Sequence, residues 1–154
     1  MYEVETITKI ANSLGVPAGD VKLNSEKVVT RTKNSKTVSG FATILNNLAQ
    51  ESKSEIALNS AATREISAEV YQWIEFAVLY VAPGSKDKHI SQQLLRDFNK
   101  LFTTKSYLVG YFITISDLAI FFAIYDLVER INKVNSDIEI LSSKNIQQTI
   151  GQKN

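Results

Sequence analysis

Apolar positions change their period along this chain, and the changes divide it into elements. Ile7, Ile10, Ala11 and Leu14 fall three or four residues apart, the spacing of one buried helix face, and Gly15 with Pro17 ends that helix. Val28 and Val29 open a short β-prone run that continues to Thr32. Lys33-Asn34-Ser35 reads as a turn, and Lys36-Thr37-Val38 as the returning strand. Gly40 then opens a helix carrying Phe41, Ile44, Leu45 and Leu48, and the polar run Gln50 to Glu55 reads as a linker. The order in this first part, residues 1–56, is α-β-β-α.

From about residue 60 the pattern is helical throughout. Ile66, Val70, Trp73, Ala77 and Val81 form one stripe of a helix over about 62–82, which Pro83-Gly84 is expected to stop. A second helix, about 88–103, turns Ile90, Leu94, Phe98, Leu101 and Phe102 inward. Thr114-Ile115-Ser116-Asp117 fits a capping box, with a short acid in place of the usual Glu or Gln. Ile113 and Leu118 stand where a hydrophobic staple belongs. Every residue from Leu118 to Tyr125 is apolar or aromatic, which predicts a central helix with no wet face, wrapped by the others. Residues 57–154 therefore read as a helical domain, and the fold class as α+β, mainly α.

Composition excludes more than it assigns. The 154 residues carry a net charge of +1, so no global field draws nucleic acid or acidic membrane. No cysteine is present, which removes disulfides, thiol nucleophiles and thiolate metal sites. A single histidine, His89, removes a histidine-rich zinc site, so neither a cofactor nor a metal is expected. His89 stands beside Lys88 at an expected helix start and reads as a surface or capping residue. The acidic N-terminus is not a secretory signal. The apolar stretch Tyr107 to Tyr125 is nearly long enough to span a bilayer, but Asp117 within it argues against insertion. Lys27, Arg31, Lys33 and Lys36 cluster on the expected hairpin and could meet phosphates. They lack interleaved aromatics, and lysines on an edge strand commonly block unwanted pairing, so direct RNA binding is not expected. Ser39 reads as a helix N-cap and Trp73 as core.

Several runs occur in order and at characteristic separations. They are Gln72-Trp73-Ile74-Glu75-Phe76, Leu94-Leu95-Arg96-Asp97-Phe98-Asn99, Tyr107-Leu108-Val109-Gly110-Tyr111 and Thr114-Ile115-Ser116-Asp117-Leu118. Together they resemble the C-terminal helical domain of the glutathione-transferase superfamily. The first part resembles that superfamily's thioredoxin-like lobe with its first strands removed. Val38-Ser39-Gly40-Phe41-Ala42-Thr43-Ile44 is most similar to the small accessory proteins of the eukaryotic multi-aminoacyl-tRNA synthetase complex.

That resemblance implies a non-catalytic scaffold, not an enzyme, found in the cytoplasm and also the nucleus. It implies docking to the transferase-like domain of methionyl-tRNA synthetase. Through a further C-terminal helix it implies docking to that of glutamyl-prolyl-tRNA synthetase. The docking surface would lie near Phe41, Leu45 and Asn46 and along Arg64 and Tyr71, while Thr114 and Asp117 serve as a structural cap. Asn145-Ile146-Gln147-Gln148 is similar to the core of the family's next helix. Leu141-Ser142-Ser143 departs from the arginine and tryptophan expected before it, which leaves the second docking face open. The rival readings are a glutathione-dependent transferase and a transferase-like subunit of a translation elongation factor. Against the first, no strand precedes the first helix, Tyr2 lies at the terminus and Ser39-Gly40 replaces the acid-serine grip.

Overall fold

The computed structural model describes the backbone of residues 2–151 and the side chains of most of them through 144. The fold is α+β and mainly helical, with one three-stranded antiparallel sheet. Contacts group the chain into two compact units, Met1–Ile124 and Tyr125–Asn154, so the boundary expected after residue 56 falls inside the first.

Helix α1 (Tyr2–Ser13) buries Ile7, Ile10, Ala11 and, just beyond it, Leu14. It ends as its sequence predicts. Gly15 takes φ +68°, the Gly15 N–H donates to Asn12 and the Val16 N–H to Ala11, which pairs two of the helix's last carbonyls. The sheet is a meander of β1 (Asp20–Leu23), β2 (Val29–Lys33) and β3 (Lys36–Ser39). Strand β1 was not expected. Its four residues, Asp-Val-Lys-Leu, alternate over too short a span to stand out, and none is fully buried. The β2–β3 turn has two residues, Asn34 and Ser35, both at positive φ, between Lys33 and its partner Lys36.

Helix α2 (Phe41–Glu51) starts from Gly40, whose φ of +91° suits glycine. No side chain caps this end, so Ser39 is the last residue of β3 and not the N-cap. The expected linker is only three residues long. Ser52 is buried and its hydroxyl donates to the Leu14 carbonyl at 2.7 Å, after which Ser54 caps α3 (Glu55–Ser60).

Pro83 does not stop the next helix. Helix α4 (Arg64–Phe76) passes into one π-helical turn, Ala77–Val81, and then α5 (Ala82–Gly84) with helical backbone angles throughout. Proline lacks an N–H and its ring collides with a carbonyl four residues back, and the widened turn just before it relieves both problems. Gly84 packs tightly against α6 (Lys88–Phe102), since a Cβ there would lie 2.6 Å from Ile90 Cγ2. Asp87 caps α6 by accepting from the His89 and Ile90 N–H groups, which places His89 in the first turn on the surface. Leu94 and Phe98 face the core, whereas Ile90 and Phe102 are exposed, contrary to the inward stripe expected for them.

Helix α7 runs unbroken from Ile115 to Gly151. The separate helix expected around 145–148 is therefore a continuation of α7, because no glycine or proline interrupts 115–150. The side chains of Asn145-Ile146-Gln147-Gln148 lie outside the described residues. The enclosed apolar rod is also corrected. Ala119, Ile120 and Ala123 are buried, but Phe121 is 49% exposed beside an open apolar cleft lined by Phe102, Tyr107, Leu108 and Leu118. Tyr125, which opens the second unit, is also exposed. Among the described residues no helix is long and apolar enough to cross a membrane, and no side-chain cluster could hold a metal ion.

Arg31 is the largest buried side chain, 2% exposed, and it holds the sheet to its flanking helix. Its Nε donates to the Ala18 carbonyl and Nη2 to the Pro17 carbonyl. Nη1 meets Asn47 Oδ1, and the fork grips both oxygens of Glu51 at 2.8 and 3.1 Å. Lys33 Nζ adds a 2.7 Å contact to the same carboxylate. The hydrogen bonds from Arg31, and next those from Lys33, lower the Glu51 pKa from 4.5 to about 2. Stability from this pair is complete above pH 4.5 and drains away as pH falls toward 2. Glu51→Gln should therefore cost about 3 kcal/mol at neutral pH by leaving Arg31 buried without its counter-charge. Urea titrations at pH 7 and pH 3 should show the gap between variant and parent shrinking at the lower pH.

Candidate docking groove

A cleft of about 430 Å³ opens on the first unit, bounded by Asn46, Ala49 and Gln50 of α2, Ser60 and Ala61 after α3, and Ser67, Ala68 and Tyr71 of α4. Ile115 stands at its base. Small residues, Ala49, Ala61, Ser67 and Ala68, make up about half of the walls. Ser67 and Ala68 of α4 are exposed, and Tyr71 is 43% exposed at the rim. Val70 and Ile74, both buried, set the inward side of α4, with Ser67 in line with them and Ala68 turned away, and the Thr63 hydroxyl starts the helix by accepting from the Ile66 N–H.

The base of the groove is a hydrogen-bond knot around the buried start of α7. A helix start leaves amide donors unpaired, and here no water can reach them. The Ile115 N–H donates to Ser60 Oγ at 2.9 Å, and the Ser60 hydroxyl in turn donates to the Ile56 carbonyl. Asn59 Nδ2 donates to the Ile113 carbonyl. Asp117 Oδ2 accepts from the Thr114 N–H at 2.9 Å and from the Thr114 hydroxyl at 3.0 Å, while Oδ1 accepts from the Leu108 N–H. Because the Thr114 proton is committed to Asp117, the 2.7 Å contact to Ser116 has the Ser116 hydroxyl donating. The Asp117 N–H bonds to the Thr114 carbonyl and not to its hydroxyl. The geometry is thus half of a reciprocal box, the hydroxyl being drawn to the short carboxylate.

Of the residues that sequence marked for docking, Asn46 and Tyr71 line this groove and Arg64 is exposed at the start of α4. Phe41 and Leu45 do not reach it: they are 5% and 0% exposed and belong to the core, so neither can present a side chain to a partner. The helix stripe that places them together is the inward face of α2. Sequence reasoning missed Ser60 and Asn59, whose partners lie 55 and 54 residues away and leave no local signal.

Residues with chemical potential are engaged elsewhere. The Tyr2 hydroxyl donates to the Ala119 carbonyl at 2.7 Å, its ring packs on Phe41, and burial raises its pKa far above the usual value. A phenol so placed resists ionising and has no free proton for a thiolate. The hairpin's basic cluster is dismantled, since Arg31 is buried and Lys33 is held by Glu51, leaving only Lys27 and Lys36 of the four outside that pair.

No family model matches the chain. It is 34% identical over 100 residues to eukaryotic translation elongation factor 1 epsilon-1 of Mus musculus and 33% identical over 100 residues to that of Cricetulus griseus. Each match covers 65% of this chain and 56% of the relative, so the chain spans little more than half the length of these two curated relatives. Against the Homo sapiens protein of the same name it is 29% identical over 131 residues, covering 83% of this chain and 74% of that one. The chain is therefore a mainly helical α+β protein whose homologues are named eukaryotic translation elongation factor 1 epsilon-1, in keeping with the resemblance its motifs carry.

Ser60→Ala should cost about 1–3 kcal/mol in urea unfolding, because it leaves the buried Ile115 N–H unpaired. Tyr71→Ala at the exposed rim should stay within about 0.5 kcal/mol of the parent. The contrast separates the groove's floor, which supports the fold, from its rim.

Proposed function

We propose that this chain is a non-catalytic accessory subunit of the protein-synthesis machinery, a scaffold that binds other proteins through the α2–α4 groove. The similarity to eukaryotic translation elongation factor 1 epsilon-1 carries this reading. In finer terms, the chain has the glutathione-transferase arrangement, a reduced thioredoxin-like lobe joined to a helical domain. It docks the transferase-like domain of methionyl-tRNA synthetase within the multi-aminoacyl-tRNA synthetase complex of the cytoplasm. The glutamyl-prolyl-tRNA synthetase domain is its second partner.

Two features of the groove support docking over catalysis. Its exposed walls join the small Ala61, Ser67 and Ala68 to Gln50 and one half-exposed aromatic, Tyr71, a shape that suits a partner helix with an aromatic anchor at its edge. Its polar groups at the base, Ser60 above all, are already committed to the chain's own amides.

Binding to the immobilised transferase-like domain of methionyl-tRNA synthetase tests the proposal. The parent should be retained at micromolar concentration, and Ala68→Glu should weaken retention at least tenfold with an unchanged melting temperature. Absence of retention for the parent would rule out this partner, and equal retention of Ala68→Glu would rule out this face.

A further inference from the structure

We infer that the outer face of α4 and of the π turn that continues it docks an arginine-bearing segment of another protein, with guanidinium groups stacked on an exposed aromatic ladder. This face is separate from the α2–α4 groove, and the inference does not depend on the function proposed above.

Trp73, Phe76 and Tyr80 recur every three or four residues across the end of α4 and the π turn. The Trp73 and Phe76 rings meet edge to face at 5.7 Å, and Phe76 stacks on Tyr80 at 5.2 Å with the planes 25° apart. The stack is not core. Phe76 and Tyr80 are 37% and 47% exposed, and Leu79, between them in sequence, is 71% exposed. Helical geometry explains why the fold leaves them open. Ile74, fully buried, sets the inward side, and Phe76 lies about 160° away round the helix. Phe76 is also about 140° from Tyr71, which lines the groove. Single exposed apolar residues are ordinary, but three grouped in and beside one stack mark a contact surface.

Charge selects the occupant. From Glu65 to Ser85 the chain carries the glutamates Glu65, Glu69 and Glu75 and no lysine, arginine or histidine. Glu65 and Glu69 fall within about 20° of Phe76 round the helix, so carboxylates and rings share one stripe. Neither carboxylate is in an ion pair among the described residues. Lys105 borders the cleft beside Glu69 together with Tyr107 and Tyr111, and it makes no ion pair there. A guanidinium answers both halves of such a stripe. Its plane stacks on an aromatic ring, and its edge donates two parallel hydrogen bonds to a carboxylate. A lysine ammonium is a strongly hydrated point charge with no plane to stack. The phosphates of a nucleic acid would meet the same carboxylates as like charges. Glu69 and Phe76 stand about 10 Å apart along the axis, and arginines three residues apart in a polyproline-type segment stand about 9 Å apart on one side.

Trp73 is the chain's single tryptophan, so its emission reads the ladder directly. The probe for the full chain is acetyl-Arg-Pro-Pro-Arg-Pro-Pro-Arg-amide, which has no fluorophore. A saturable change in emission is expected, with a dissociation constant on the order of 100 µM at low salt that weakens at least about threefold in 0.5 M salt. The same peptide with lysine for arginine should bind at least about fivefold more weakly. By calorimetry, Phe76→Ala and Glu69→Gln should each weaken the arginine peptide about fivefold, and Tyr71→Ala on the groove side should leave it unchanged. Glu69→Gln alters an exposed side chain and keeps the test decisive if Phe76→Ala unsettles the helix, which circular dichroism reads. No saturable response up to about 5 mM peptide overturns the inference. Equal binding of the lysine peptide, indifference to both Phe76→Ala and Glu69→Gln, or tighter binding of single-stranded oligouridylate overturns it as well.

Discussion

A helix that begins inside a protein must find acceptors for its first amides, and the fold of the first unit is organised around that requirement at Ile115. The acceptors come from two stretches of chain, Ser60 at the end of α3 and Asp117 in the helix itself, and the same Asp117 carboxylate also accepts the Leu108 N–H and so fastens that loop. Because Ser60 both accepts from Ile115 and donates to Ile56, the end of α3 cannot shift without unpairing a buried group. The same serine and isoleucine form the floor of the groove between α2 and α4. The groove therefore has a base built from interactions that serve folding, and in the proposed docking role only its rim, around Ala68 and Tyr71, would be free to specialise.

What could be read in the sequence was local. The spacing of Ile7, Ile10, Ala11 and Leu14, the glycine after that helix, and the hairpin around Asn34 all depend on neighbours within a few residues, and the structure has them. Misread features depend on distance or on compensation between close neighbours. Pro83 looks like a stop until a π turn before it absorbs the strain. Arg31 looks like part of a basic surface until Glu51, twenty residues away, turns it inward. Phe41 and Leu45 were placed at an interface because helix periodicity identifies a face without saying which neighbour covers it. Phe121 fails in the opposite sense, as an apolar residue on an apolar helix that the fold leaves partly open.

Arg31 also bears on function. A guanidinium withdrawn from water is tolerable only when each of its donors is matched, and here two backbone carbonyls, an amide oxygen and a bidentate carboxylate do so. The cation that would have headed a phosphate-binding patch is used to fasten the sheet to α2, and the Lys33 ammonium is drawn to the same acid. Half of the four-residue basic cluster on the hairpin is thereby paired with one acid.

Tyr2 follows the same logic at the other end of the first unit. Its hydroxyl donates to the Ala119 carbonyl of α7, and its ring rests on Phe41. Burial that raises the cost of ionising a phenol is the reverse of what a thiolate-stabilising tyrosine requires, since such a group must share or yield its proton at neutral pH. Tyr2, Ser60 and Asp117 thus have a common character: each is polar, each is at least partly buried, and each bonds the chain's own backbone. Polar groups bound in this manner give a fold its single arrangement. In the proposed docking role, recognition would fall to the shape of the groove and to the residues at its edge.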